Sequence, residues 1–148
     1  MEYFRGTWYD KAKPLKLYKK KKASYTTSKR GVPDQPLYFD SIQCNVRKLI
    51  ELPLHLIRCK LFKDFRDEMA CRFEWLYAKC KYVSVSSLVE DMKMALTEMD
   101  AAGDIDDVET YNDIKTVEQL LSLGFENIRK DSSHLALQVY LVWNHCKH

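Results

Sequence analysis

Phe62, Phe65, Met69, Phe73, Leu76 and Cys80 recur at intervals of three or four residues. An α-helix turns once in about 3.6 residues, so this spacing lines the six side chains along one helical face. The same period returns further along. Leu54, Ile57 and Leu61 precede this stripe, and Leu88, Met92, Ala95 and Met99 follow it. Tyr111, Ile114, Val117, Leu121, Phe125 and Ile128 form another, and Leu135, Val139 and Val142 the last. Amphipathic helices in series must bury their stripes on one another. Four Gly and four Pro in 148 residues are too few for a sandwich or barrel of many tight turns. The expected fold is therefore all-α, an antiparallel helical-repeat (TPR or solenoid-like) segment.

Residues 9–40 break the pattern. They hold Pro14, Pro33, Pro36, Gly31, a lysine run and the polar Ser24–Ser28 stretch. They read as an irregular basic arm or linker, with the helical domain over 41–148. Asp40 or Ser41 is expected to cap the first helix, and Val46, Leu49 and Ile50 to share a face on it. Pro53 lacks an N–H and should kink that helix or start a new one. Ser87-x-x-Glu90 has the form of a capping box. Gly103 is a plausible stop, and Asp104–Asp107 a start whose carboxylates suit the positive end of a helix dipole. Thr116-x-x-Gln119 could restart that helix after a bend, and Asp131 or Ser132 could cap the last one. Leu137, Leu141 and Trp143 make a second apolar side on that last helix, a face expected to need a partner.

Charge is unevenly distributed. The net charge is only +3, yet the arm carries Lys11, Lys13, Lys16, Lys19, Lys20, Lys21, Lys22, Lys29 and Arg30, and Glu90 to Glu118 is acidic. Lys19, Lys20, Lys21 and Lys22, with Tyr18 and Tyr25 nearby, form a candidate contact for nucleic acid or anionic lipid. A pI near 8.5 is below the usual basic footprint of a nucleic-acid module. No stretch approaches the ~20 apolar residues of a membrane span. The N-terminus has no apolar secretory core, so the five cysteines read as reduced thiols in a cytoplasmic protein.

Catalytic chemistry finds little support. The glycines at 6, 31, 103 and 124 are isolated, so no phosphate-cradling loop is written here. His145-Cys146-x-His148 offers metal ligands without the second cluster that zinc needs, and Cys44, Cys59, Cys71 and Cys80 are expected to be small apolar core residues. Asp100 to Glu109 imitates a calcium loop in charge only, because Gly103 falls two places early. His55 and Cys59, four apart, lack an orienting acid and an oxyanion hole. The expectation is a non-enzyme with no cofactor and no metal.

Several stretches, in order, resemble the region after the nucleotide-binding module in NACHT and WD-repeat proteins of the STAND class. Tyr3-Phe4-Arg5-Gly6-Thr7-Trp8 looks like the end of their winged helix, and Val32-x-x-Gln35-Pro36-Leu37-x-Phe39 like the stretch that follows. Asn45-x-Arg47-Lys48-Leu49-x-Glu51-Leu52-Pro53-x-His55-Leu56 and Phe73-x-Trp75-Leu76-x-Ala78-Lys79 are similar to two of their helices. Leu88-Val89-Glu90-Asp91 resembles the next, and Asp131 to Gln138 the start of a later repeat. The resemblance implies a scaffold or protein-interaction segment linking an NTPase switch to a WD-repeat propeller, with 1–8 a remnant of the winged helix. Its partners would be proteins, the rest of a longer chain or further copies of itself. A small basic-arm module binding nucleic acid or acidic surfaces is the alternative. The large aromatics Tyr3, Phe4 and Trp8 are expected to lie uncovered.

Overall fold

The computed structural model describes residues 4–5, 12–19, 22–31, 33–102, 107–130 and 135–145. The chain divides into two units, residues 1–48 and 49–148. The fold class is all-α, as the apolar periods require.

The first unit departs from the expected irregular arm. Strands β1 (Ala12–Lys19) and β2 (Lys22–Gly31) pair antiparallel, with Pro14 opposite Thr27, Leu15 opposite Thr26 and Lys19 opposite Lys22. Leu15-Lys16-Leu17-Tyr18 alternates with the two-residue period of a strand, and Tyr25-Thr26-Thr27 are strand formers. Pro14 stands beside the register shift near Ala12, where a missing N–H is tolerated. Lys20-Lys21 lacks the Asn-Gly signature of a tight hairpin turn, so nothing local announced the pairing. After it, Tyr38 bridges Cys44, and Asp40 Oδ1 accepts the N–H groups of Ile42 at 2.7 Å and Gln43 at 2.6 Å. Asp40 therefore closes a turn and caps no helix. Helix α1 (Val46–Arg58) is capped by Asn45, whose Oδ1 accepts the Lys48 N–H at 3.0 Å. Phe4 is buried, contrary to the expected exposure, and the Arg47 guanidinium lies 5.8 Å from its ring centre. Tyr3 and Trp8 lie outside the described residues.

In the second unit α1 runs through Pro53 without restarting. Leu49, Leu52, Leu56 and Ile57 are its buried side, while Val46 and Ile50 are exposed, so the expected Val46–Leu49–Ile50 face does not form. The helix is closed off just past Arg58 by Lys60, the one described non-glycine residue with positive φ (56°). Lys60 N–H donates to the Ile57 carbonyl and Leu61 N–H to the Leu56 carbonyl, both at 2.9 Å. These are the paired bonds that close a helix through a left-handed residue.

The long stripe from Phe62 to Cys80 is divided between two helices. Helix α2 (Phe62–Phe65) continues into a π-helical turn (Arg66–Ala70), and α3 (Phe73–Tyr82) starts after a break at Cys71-Arg72. Phe65, Met69 and Leu76 still reach the core from both sides of the break. Helix α4 (Val85–Ala102) is capped by Ser84, whose Oγ accepts the Ser87 N–H at 3.0 Å, so Ser87 lies inside the helix. Asp107 caps α5 (Val108–Lys130) through the Thr110 N–H at 2.9 Å. That helix is continuous at Thr116, whose hydroxyl donates to the Asn112 carbonyl at 2.8 Å in place of capping a restart. Gly103, Asp131 and Ser132 lie outside the described residues. Helix α6 (Leu135–His145) buries Leu135, Val139 and Val142, as its period requires. Helix α3 packs on α4 and α6, and α5 on α4 and α6. The last helix thus returns to α3, and the four close on one another around Leu76, Leu88, Met92, Ile114, Leu121 and Val139.

Candidate interaction surface

Three stretches that the sequence writes far apart meet at one buried point. Pro53 has no N–H to offer the Leu49 carbonyl four residues earlier. The Lys79 ammonium, 1% exposed, donates to that carbonyl at 2.8 Å. Asp91 Oδ2 stands 2.8 Å from the same ammonium, a charge contact without a directional hydrogen bond. Burial pushes the Asp91 carboxyl up to about 6 against the attraction of Lys79, and Glu90 adds to the rise. Lys79 of the α3 motif and Asp91 of the α4 motif thus engage α1 and each other in the interior, while Glu90 stays exposed. The first unit has a parallel arrangement. Asn45 Nδ2 donates to Gln35 Oε1 and to the Pro36 carbonyl, both at 3.2 Å, and Lys48 Nζ donates to the Gln35 carbonyl at 2.6 Å.

Part of the acidic stretch has its own counter-ion. Arg66, in the π-helical turn, donates from Nε to Asp67 Oδ1 at 2.8 Å. One of its terminal nitrogens lies 3.4 Å from both Glu109 and Asp113 on α5. Among the described residues no three His, Cys, Asp or Glu side chains gather as a metal site. Cys146 and His148 lie outside them. The expected core cysteines are not fully buried: Cys44, Cys71 and Cys80 are half-buried and Cys59 is exposed. Burial raises the Cys80 thiol to about 12, which keeps it protonated and unreactive.

Aromatic side chains gather where α3 meets α6. The Phe73 ring stacks on Tyr77 at 5.9 Å and meets Trp143 edge-on at 6.1 Å, and Tyr140 lies 5.8 Å from Trp143. Lys81 caps the row, with its ammonium 5.5 Å from the Tyr77 ring and 5.2 Å from the Tyr82 ring. Helix α6 exposes Leu137 (54%), Tyr140 (48%) and Leu141 (48%). Of the three apolar residues singled out on the last helix, Leu137 and Leu141 therefore face outward, while Trp143 is half-covered by α3. Tyr140, Phe73 and Tyr77 were missed. Phe73 and Tyr77, and Tyr140 and Trp143, are neighbours through the helical period, but the Phe73–Trp143 contact that joins the two pairs depends on α6 returning to α3, which no period along one helix encodes. The four lysines are placed in part: Lys19 ends β1 opposite Lys22 at the start of β2, and Lys20 and Lys21 lie outside the described residues. No described helix is long and apolar enough to cross a membrane.

No protein-family model matches the chain, and no solved structure does. Two curated proteins are similar to it. NACHT domain- and WD repeat-containing protein 1 of Mus musculus is 28% identical over 102 residues, and that of Homo sapiens 26% identical over 102 residues. The match covers 68% of this chain and spans 6% of the length of each relative. The chain is thus distantly related to a NACHT and WD-repeat protein.

Proposed function

We propose that this chain is a non-catalytic scaffold segment of a NACHT and WD-repeat-like signalling protein in the cytoplasm, connecting an NTPase switch to a WD-repeat propeller and working through protein contacts. The observation that carries this reading is the Leu49–Lys79–Asp91 junction. Lys79 and Asp91, each from a resembling stretch, hold helices together in the interior, and Leu137, Tyr140 and Leu141 are exposed on α6. That distribution suits a part that transmits position and needs no cofactor. The distant similarity to the mouse and human proteins supports the same reading. Sequencing of full-length transcripts tests it. The expected transcript joins this segment to an upstream phosphate-binding loop and to downstream Trp-Asp repeats. Transcripts without either would overturn it, as would a saturable complex of the purified chain with magnesium ATP in calorimetry.

A second reading, a basic-arm module for nucleic acid or acidic surfaces, draws on the hairpin that sets Lys19 opposite Lys22. A polyanion would bind the basic run Lys19 to Lys22 by releasing its counter-ions. On this reading duplex binding weakens steeply with salt, has little sequence preference and is lost when Lys19 to Lys22 become alanine. Binding that ignores salt sinks it.

A further inference from the structure

We infer that the hairpin of β1 and β2 binds single-stranded nucleic acid, with bases on Tyr18 and Tyr25, which share one face, and phosphates on the surrounding lysines. This rests on the basic-arm reading and names the ligand that reading left open. Lys11 to Arg30 contains eight lysines and one arginine and no Asp or Glu, so its complement is an anion of many charges. The strand register narrows the choice. Lys16 stands opposite Tyr25, Tyr18 opposite Ala23 and Leu17 opposite Ser24. Directly opposed residues share a face of a sheet, as do residues two apart along a strand. Lys16, Tyr18 and Tyr25 therefore belong to one face, and Leu15 and Leu17 to the other. Tyr18 and Tyr25 are diagonal neighbours, positions about 7–8 Å apart in a strand pair. That is roughly twice the ~3.4 Å step of a nucleic acid strand, so nearby bases of one strand reach both. Tyrosine rings beside lysines make a stacking platform that tolerates any base. In a duplex the base faces are already stacked on one another, so only unpaired bases can use such a platform. A lipid surface would call for aromatic and aliphatic residues on the same face, and here the register divides the tyrosines from the leucines.

Fluorescence polarisation with the full chain tests it, using labelled oligothymidylate, labelled oligouridylate and a labelled DNA duplex, beside co-sedimentation with phosphatidylserine vesicles. The wild type should bind a single strand about tenfold or more tighter than the duplex, and the tighter of the two single strands tells DNA from RNA. Tyr18→Ala/Tyr25→Ala should remove that preference and leave duplex binding unchanged. Tyr18→Phe/Tyr25→Phe keeps both rings and should bind as the wild type does. Ser24→Tyr/Tyr25→Ser keeps the composition, moves one ring to the opposite face, and should weaken the single strand by about fivefold or more. Changing Lys19 to Lys22 to alanine should weaken strand and duplex alike. Equal affinity for strand and duplex, lost only with the lysines, overturns the inference and leaves the basic-arm reading standing. No binding to any of the three nucleic acids overturns both. A Ser24→Tyr/Tyr25→Ser variant that binds the strand like the wild type overturns the role of the shared face. Vesicle binding that the tyrosine changes abolish, with strand binding intact, gives the face to lipid and overturns the inference.

Discussion

The Lys79 ammonium fills the place of the hydrogen-bond donor that Pro53 withholds from the Leu49 carbonyl, at 2.8 Å. A proline inside a helix ordinarily leaves a carbonyl to water or bends the helix away from it. Here a lysine from another helix supplies the donor, and Asp91 balances the charge that comes with it. The three residues make sense only together, which gives them a measurable coupling.

Lys79→Met should destabilise the chain by about 3–5 kcal/mol, because it leaves Asp91 buried without its counter-ion. Lys79→Met/Asp91→Leu should recover most of that loss. A deficit of about 1–3 kcal/mol should remain, the cost of the Leu49 carbonyl with no donor. Adding Pro53→Ala returns a helical N–H to that carbonyl and should remove the deficit. Urea unfolding of the single, double and triple variants measures each step. If Pro53→Ala brings no more recovery in the double variant than it changes in the wild type, the carbonyl is not what Lys79 serves.

Asp91 predicts a pH dependence of defined sign. Its folded carboxyl titrates near 6, above the ordinary value of 3.8. Between those values the folded state holds a proton that the unfolded state has released, so stability falls as pH rises through this window. The melting temperature should therefore carry a component that declines between about pH 4 and 6. Lys79→Met/Asp91→Leu should lack that component. Identical pH profiles for the two proteins would contradict the placement of Asp91.

Lys60→Gly should stabilise the chain by about 0.5–1 kcal/mol. A left-handed conformation costs a side-chain-bearing residue roughly 1–2 kcal/mol, part of which glycine returns as extra freedom of the unfolded chain. Lys60→Ala retains the Cβ and should show no such gain. Thermal melts of the two variants beside the wild type separate conformation from charge.

Arg66→Met should destabilise by about 1–2 kcal/mol at low salt, because Asp67, Glu109 and Asp113 then face one another without their shared cation. Salt screens the exposed part of that repulsion, so the gap from wild type should narrow as ionic strength rises. A gap independent of salt in urea titrations would assign the loss to packing of the π-helical turn.

What was legible in the sequence is what short-range periodicity and local chemistry encode. The stripe Leu135, Val139, Val142 is buried, Ile114, Val117 and Leu121 are buried, and Asp107 caps its helix, because each depends on residues within a few turns of one helix. Neighbouring signals of the same kind competed: Ser84 took the cap expected of Ser87, and Asn45 the one expected of Asp40. The tertiary structure alone decided the rest. A lysine at the end of an apolar stretch reads as a solvated charge until a carbonyl thirty residues away lacks a donor, and only the tertiary approach of α3 to α1 brings that carbonyl within 2.8 Å. The edge-on contact of Phe73 with Trp143 likewise exists because α6 returns to α3. Helical faces are set by a period of a few residues, whereas which face meets which is set by the summed burial of all the helices at once.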